Sequence, residues 1–205
     1  MLKVGLTGGY ATGKTFVARE LERCGCHVIY ADELGHQVLL PDGAAYAPTV
    51  AAFGREILDA DGRIDRKKLA AVVFSSAELL DQLSGFVHPA VFQLEEQKLG
   101  AIAQEDPWGV VVLEAAILIE TERYKEFDRL IVTVCDRETQ IARAMKRDHL
   151  TRDETFARLG KQLPAEEKTR YAHYVVDTSG SKEQTVQQVD RIYSELKELA
   201  ERGGA

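Results

Sequence analysis

A chain of 205 residues, 45% hydrophobic and 29% charged, is long enough for one α/β domain with a substantial core. Its formal net charge of −7 argues against bulk attraction to nucleic acid and leaves room only for a local basic site. No apolar run approaches the ~20 residues that span a membrane, so neither nucleic acid nor membrane is expected as a partner.

Residues 2–7 form a short apolar run suited to a buried strand, and residues 16–23 have helical spacing. Between them Gly8, Gly13, Lys14 and Thr15 fit the phosphate-loop pattern G-x-x-x-x-G-K-[ST]. A strand, a glycine-rich turn and a helix place backbone N–H groups around a phosphate, at the positive end of the helix dipole. The expected nucleotide-binding set is Gly8, Gly9, Ala11, Thr12, Gly13, Lys14, Thr15 and Phe16. Lys14 is placed to reach β- and γ-phosphates, and the Thr15 hydroxyl to ligate Mg²⁺.

The chain opens as a strand and not as a basic leader, and it holds an odd number of cysteines, Cys24, Cys26 and Cys135. The expected compartment is the cytoplasm, with reduced thiols. Cys24 and Cys26 could be half of a metal site, but no His/Cys cluster completes it, so they read as small buried residues.

Gly25 reads as the end of the first helix. Residues 27–30 read as a second strand, and Asp32 follows at its carboxyl end, where open α/β sheets hold ligands. Two roles are open for Asp32: N-cap of a helix over 33–40, or a carboxylate facing the phosphate loop. A mostly helical stretch follows from about residue 44 to 105. Within it Asp59-Ala-Asp-Gly-Arg63 is a turn whose glycine comes too early for a calcium loop, and Ser75-x-x-Glu78 is a capping box. His88-Pro89 reads as a break in that helical stretch. His88 either contacts an acceptor substrate held by this insert or caps and packs.

Residues 110–114 pattern as a buried strand ending in Glu114, where a P-loop fold places the acid that supports Mg²⁺. Another strand covers 130–135. Asp136 then caps a helix through Arg147, Thr151-x-x-Glu154 opens the next, 174–177 is the last strand, and Ser181-x-x-Gln184 caps a final helix to about Arg202. From Arg137 to Arg170 the chain has nine Lys and Arg against six Asp and Glu, whereas the whole chain has 26 against 33. Gln140, Arg143 and Arg147 share one helix face. The two arginines repel at i, i+4 unless an anion such as a nucleotide phosphate sits between them or nearby acids pair with them.

Together these pieces resemble the dephospho-CoA kinase family, which closes coenzyme A synthesis. The resemblance covers nearly the whole chain. It rests on Gly5-Leu-Thr-Gly-Gly with Gly13-Lys14-Thr15, Ala31-Asp32, Phe53-Gly54, His88-Pro89, Leu118-x-Glu120, Phe127-Asp128, Gln140-x-x-Arg143, Arg147, Gln162 and Ser179-Gly180. Departures from the family pattern are Tyr10-Ala11-Thr12, Tyr30, Glu114-Ala-Ala-Ile, His173 and Thr178. The implied architecture is an α/β, P-loop nucleoside triphosphate hydrolase-type three-layer fold with a parallel sheet. It is expected as a single domain over 1–205, with its core at about 1–43 and 107–205, a helical acceptor-binding insert at about 44–106 and a helical lid at about 137–170.

The resemblance implies transfer of the ATP γ-phosphate to the ribose 3′-hydroxyl of dephospho-CoA. Lys14 holds the phosphates, and Thr15 and Glu114 serve Mg²⁺. Asp32 acts as general base and substrate contact, with His88 beside it in the acceptor role. Arg143 acts on the transferring phosphate and Arg147 on the nucleotide. The alternatives are another P-loop small-molecule kinase, such as a nucleoside monophosphate kinase, or a non-catalytic nucleotide-binding switch. An acceptor base near the loop disfavours the switch. Oligomeric state has no signature in these features.

Overall fold

The apolar runs become the strands of one sheet. The computed structural model describes residues 1–160 and 162–203. In chain order, β1 (Leu2–Gly8), α1 (Lys14–Cys24), β2 (His27–Tyr30) and α2 (Ala31–Gln37) are followed by α3 (Tyr46–Phe53), α4 (Arg66–Val73) and α5 (Ala77–Glu105). The chain continues with β3 (Val110–Glu114), β4 (Arg129–Val134), α6 (Arg137–Asp148), α7 (Arg152–Leu159), α8 (Ala165–Thr169), β5 (Tyr174–Asp177) and α9 (Lys182–Arg202). It divides into two compact units, one of residues 1–29 and 102–205 and one of residues 30–101.

The first unit is an α/β body on a parallel sheet of strand order β2-β3-β1-β4-β5. β1 lies between β3, where Leu6 faces Glu114, and β4, where Gly8 faces Thr133. Strands covered on both faces read as continuous apolar runs, and here Val4, Leu6, residues 110–113 and residues 130–132 are all buried. Helices α1 and α9 pack on each other and on β1 and β3, and Val17, Leu21, Val189 and Leu196 on them are buried. Gly25 ends α1 in the left-handed conformation at φ 112°, as its sequence position suggests. The caps read from the sequence are present at Asp136, Thr151 and Ser181. At the outer strand, His173 pairs with Leu130 twice. Its backbone N–H donates to the Leu130 carbonyl at 2.9 Å, and its Nδ1 accepts from the Leu130 N–H at 3.0 Å.

The second unit is helical, with clusters around Phe53, Ile57, Leu69 and Val73 and around Val38, Ala45 and Ala90. Two expectations are corrected within it. His88-Pro89 does not break the chain, because α5 runs unbroken through Pro89. Proline removes one backbone donor and crowds the carbonyl of the residue four before it, here Gly85. The burial of Phe86, Val87, Ala90, Val91 and Leu94 on one face outweighs that cost. The helix also starts after Ser76 and not at Ser75. Ser75 instead donates to the Val72 carbonyl at 2.6 Å, finishing α4.

One cation in the first unit is wholly buried. Lys168 on α8 has no exposed surface, and its ammonium lies 2.8 Å from Glu120 and donates to the Ala116 carbonyl at 3.0 Å. The Thr7 hydroxyl donates to the same carbonyl at 3.1 Å, so α8, the segment after β3 and the end of β1 meet on one oxygen. Glu120→Ala leaves a buried ammonium without its carboxylate and should cost ~3 kcal/mol in urea denaturation. Lys168→Met should cost less, because Glu120 keeps partial access to water.

Candidate active site

The turn between β1 and α1 is held open by geometry that only some residues tolerate. Gly13, at φ 84°, precedes α1 and accepts from the backbone N–H groups of Phe16 and Val17 at 3.0 and 3.1 Å. Ala11 is also left-handed, at φ 58°. Gly8 lies against β4: a Cβ there would stand 2.2 Å from Thr133 Oγ1 and 2.5 Å from the Thr133 carbonyl. Buried threonines fasten the turn from below. Thr12 Oγ1 donates to the Gly9 carbonyl at 2.8 Å and lies 2.7 Å from Thr133 Oγ1. Thr178 Oγ1 donates to the Thr12 carbonyl at 2.9 Å. Lys14 folds over the turn, its ammonium 3.3 Å and 3.1 Å from the carbonyl oxygens of Gly8 and Gly9.

Above the turn is a cavity of about 480 Å³. Ala11, Gly13, Lys14, Thr15 and Phe16 line it from the loop side, and Arg143, Lys146 and Arg147 from α6. The expected face of α6 therefore meets the loop. Gln140 donates to the Tyr10 carbonyl at 2.6 Å. Arg143 donates through Nη1 to Thr178 Oγ1 at 2.9 Å and through Nη2 to the Thr178 carbonyl at 2.7 Å. Arg147 binds Asp148 through Nε at 2.9 Å and Nη2 at 3.0 Å, so the pairing of this face with a nearby acid is realised for one of its two arginines. Four cations of one chain border one cavity, which suits a polyanion. The expected lid also includes Lys161, which lies outside the described residues.

Glu114 is buried at the carboxyl end of β3, paired with Leu6 of β1. Thr15 is exposed in the first turn of α1. Among the described residues no three His, Cys, Asp or Glu side chains gather as a metal cluster. Asp32 and His88 belong to the second unit. Asp32 is exposed in the first turn of α2, but the N-cap position is held by Tyr30, with no side-chain hydrogen bond. The capping role is thus corrected, because the helix begins one residue before the aspartate. His88 is exposed within α5, its ring 6.2 Å from that of Phe92, so it caps nothing either. Cys26 is buried, which pushes its thiol up to about 12, whereas Cys24 is only half-buried and its thiol contacts Asp190 at 3.4 Å.

Sequence reasoning passed over four contributors. Lys146 carries the charge excess of its segment but falls off the Gln140/Arg143/Arg147 spacing. Thr133 on β4 and Thr178 just past β5 anchor the site from positions distant in sequence. Lys182 stands 5.7 Å over the Phe16 ring, a contact with no local signature.

A family model described as dephospho-CoA kinase matches residues 2–184. The chain is 41% identical to the dephospho-CoA kinase of Geobacter metallireducens, over 95% of this chain and 96% of that one. It is 40% identical to the dephospho-CoA kinase of Aquifex aeolicus, over 96% of this chain and 98% of that one. Among solved structures, a Thermus thermophilus protein superposes with a TM-score of 0.78 at 30% identity, covering 95% of this chain and 97% of that one. The dephospho-CoA kinase of Campylobacter jejuni shares the fold, with a TM-score of 0.73 at 24% identity over 96% of this chain and 97% of that one.

Gly8→Ala tests the loop geometry. The added methyl meets the Thr133 backbone as well as its side chain, so a rotamer change cannot relieve it. The expected outcome is a stability loss of ~1–3 kcal/mol together with loss of nucleoside triphosphate binding, read by thermal melting and titration calorimetry.

Proposed function

The chain belongs to the dephospho-CoA kinase family, and we propose that the residues placed above divide that family's reaction among themselves. The protein is a kinase that phosphorylates dephospho-CoA at the expense of ATP in coenzyme A biosynthesis. The acceptor atom is the ribose 3′-hydroxyl, and the products are CoA and ADP. The observation that supports this division most directly is the cavity bordered by Lys14, Arg143, Lys146 and Arg147 at the N-terminal end of α1.

Loop N–H groups and Lys14 hold the triphosphate, with the helix dipole adding to the field. Arg143 bears on the transferring phosphoryl group, where equatorial oxygens carry the charge of a loose transition state. Thr178 fixes the Arg143 fork through two hydrogen bonds, so little reorganisation is needed as charge develops. Arg147 contacts the nucleotide phosphates. Asp32 orients the acceptor hydroxyl and receives its proton, and His88 contributes to acceptor binding. Thr15 and Glu114 offer a hydroxyl and a carboxylate, the hard oxygen donors that Mg²⁺ takes along with phosphate oxygens and water. When bound, the ion neutralises charge on the β- and γ-oxygens. All three cysteines carry free thiols, in keeping with a cytoplasmic setting.

Asp32→Asn separates chemistry from structure. Asp32 holds no cap, so melting should shift only by the helix-dipole contribution of ~0.3–1 kcal/mol. Asn cannot accept the proton, and kcat should fall at least ~10²-fold while ATP affinity is kept. Near-normal turnover in the folded variant would remove Asp32 as the base. Arg143→Ala should lower kcat more than it raises KM for dephospho-CoA, by up to ~10³-fold as a ceiling. Unchanged kcat with a raised acceptor KM would move Arg143 from the transferring phosphate to acceptor binding.

A further inference from the structure

Tyr10 stands at the tip of the phosphate loop, in the stretch where this chain departs from the family pattern. Every polar group it has is spent on α6 and the segment after it. Its backbone N–H donates to Gln162 Oε1 at 2.8 Å, and its carbonyl accepts from Gln140 Nε2 at 2.6 Å. Its hydroxyl donates to the Asp148 carboxylate and accepts from Arg158 Nη1 at 3.3 Å. Its ring lies beneath two guanidinium groups, Arg147 at 4.9 Å and Arg158 at 5.8 Å from the centroid.

Asp148 binds both Arg147 and the Tyr10 hydroxyl, and it lies 3.7 Å from Arg158. Tyr10, Asp148, Arg147 and Arg158 therefore form one closed set. Arg147 is held on its edge by the carboxylate and on its face by the ring. An arginine with a long, exposed side chain otherwise loses rotamer freedom when it engages a phosphate. A guanidinium already fixed on two sides does not pay that cost again.

We propose that Tyr10 is a positioning residue. It docks the α6–α7 segment on the phosphate loop and presets Arg147 for the nucleotide phosphates. The inference rests on the reading of Arg147 as a nucleotide contact. It predicts that Tyr10 acts through Arg147 and so has no separate effect once that arginine is gone.

The experiment is a double-mutant cycle on the full chain, with kcat and KM measured for ATP and for dephospho-CoA in Tyr10→Leu, Tyr10→Phe, Arg147→Ala and Tyr10→Leu/Arg147→Ala. Tyr10→Leu should lower kcat/KM for ATP about tenfold, a coupling ordinary for contacting residues. Tyr10→Phe keeps the ring and the backbone contacts and should lose only about threefold. Dephospho-CoA KM should stay within about twofold in both, because the set touches loop and lid alone. In the Arg147→Ala background, Tyr10→Leu should cost less than about twofold. An impaired Arg147→Ala beside an unimpaired Tyr10→Leu would overturn the proposal and leave the arginine's role standing. Additive losses accompanied by a lowered melting temperature would make Tyr10 a packing residue and also overturn it. An unimpaired Arg147→Ala would remove the premise and the proposal together.

Discussion

Like charges crowd this site, and their placement is the constraint on which the surrounding structure depends. Lys14, Arg143, Lys146 and Arg147 border one cavity. Such a group repels itself unless each member has a local oxygen to lean on. For three of the four cations such oxygens are identifiable. Lys14 faces the loop carbonyls of Gly8 and Gly9, Arg143 faces Thr178, and Arg147 faces Asp148. The Gly8, Gly9 and Thr178 oxygens are neutral acceptors, so they give Lys14 and Arg143 a defined place without adding charge of their own. Arg147 leans on a carboxylate, and that carboxylate is shared with Tyr10 and Arg158.

Below the cavity the same economy is carried by threonines. Thr7, Thr12, Thr133 and Thr178 are buried and joined to one another or to the loop carbonyls. A hydroxyl both donates and accepts, so a chain of them satisfies buried backbone oxygens without adding charge beside the phosphate site. Lys168 and Glu120 do the complementary task further out, where a buried ion pair ties α8 to the loop after β3.

Much of this was legible in the sequence. The five apolar runs, Gly25, and the caps at Asp136, Thr151 and Ser181 are local signals, and each produced the element it announced. The α6 face was legible too, because helical spacing alone brings Gln140, Arg143 and Arg147 together. Pro89 misled because a proline's local cost is small beside the apolar face that α5 buries. Asp32 misled as a cap because the helix starts at Ala31, two residues before the expected 33. Thr178, Lys168 and Tyr10 were illegible as structural anchors for a different reason. Their partners lie far along the chain, and no residue type or spacing announces them.

The central position of β1 bears on how the chain comes together in time. The first strand made is flanked by β3 and β4, whose pairing residues lie about a hundred positions later. Until residues 110–134 exist, Val4 and Leu6 have neither neighbour, and the loop has no Thr133 to rest on. Non-local pairing of this kind is slow, because a long loop must close before any contact rewards it. The phosphate loop, first in the chain, thus cannot take its working shape before β4 has paired with β1. A ribosome-bound or truncated chain would display the motif in full while lacking the strand that forms its floor.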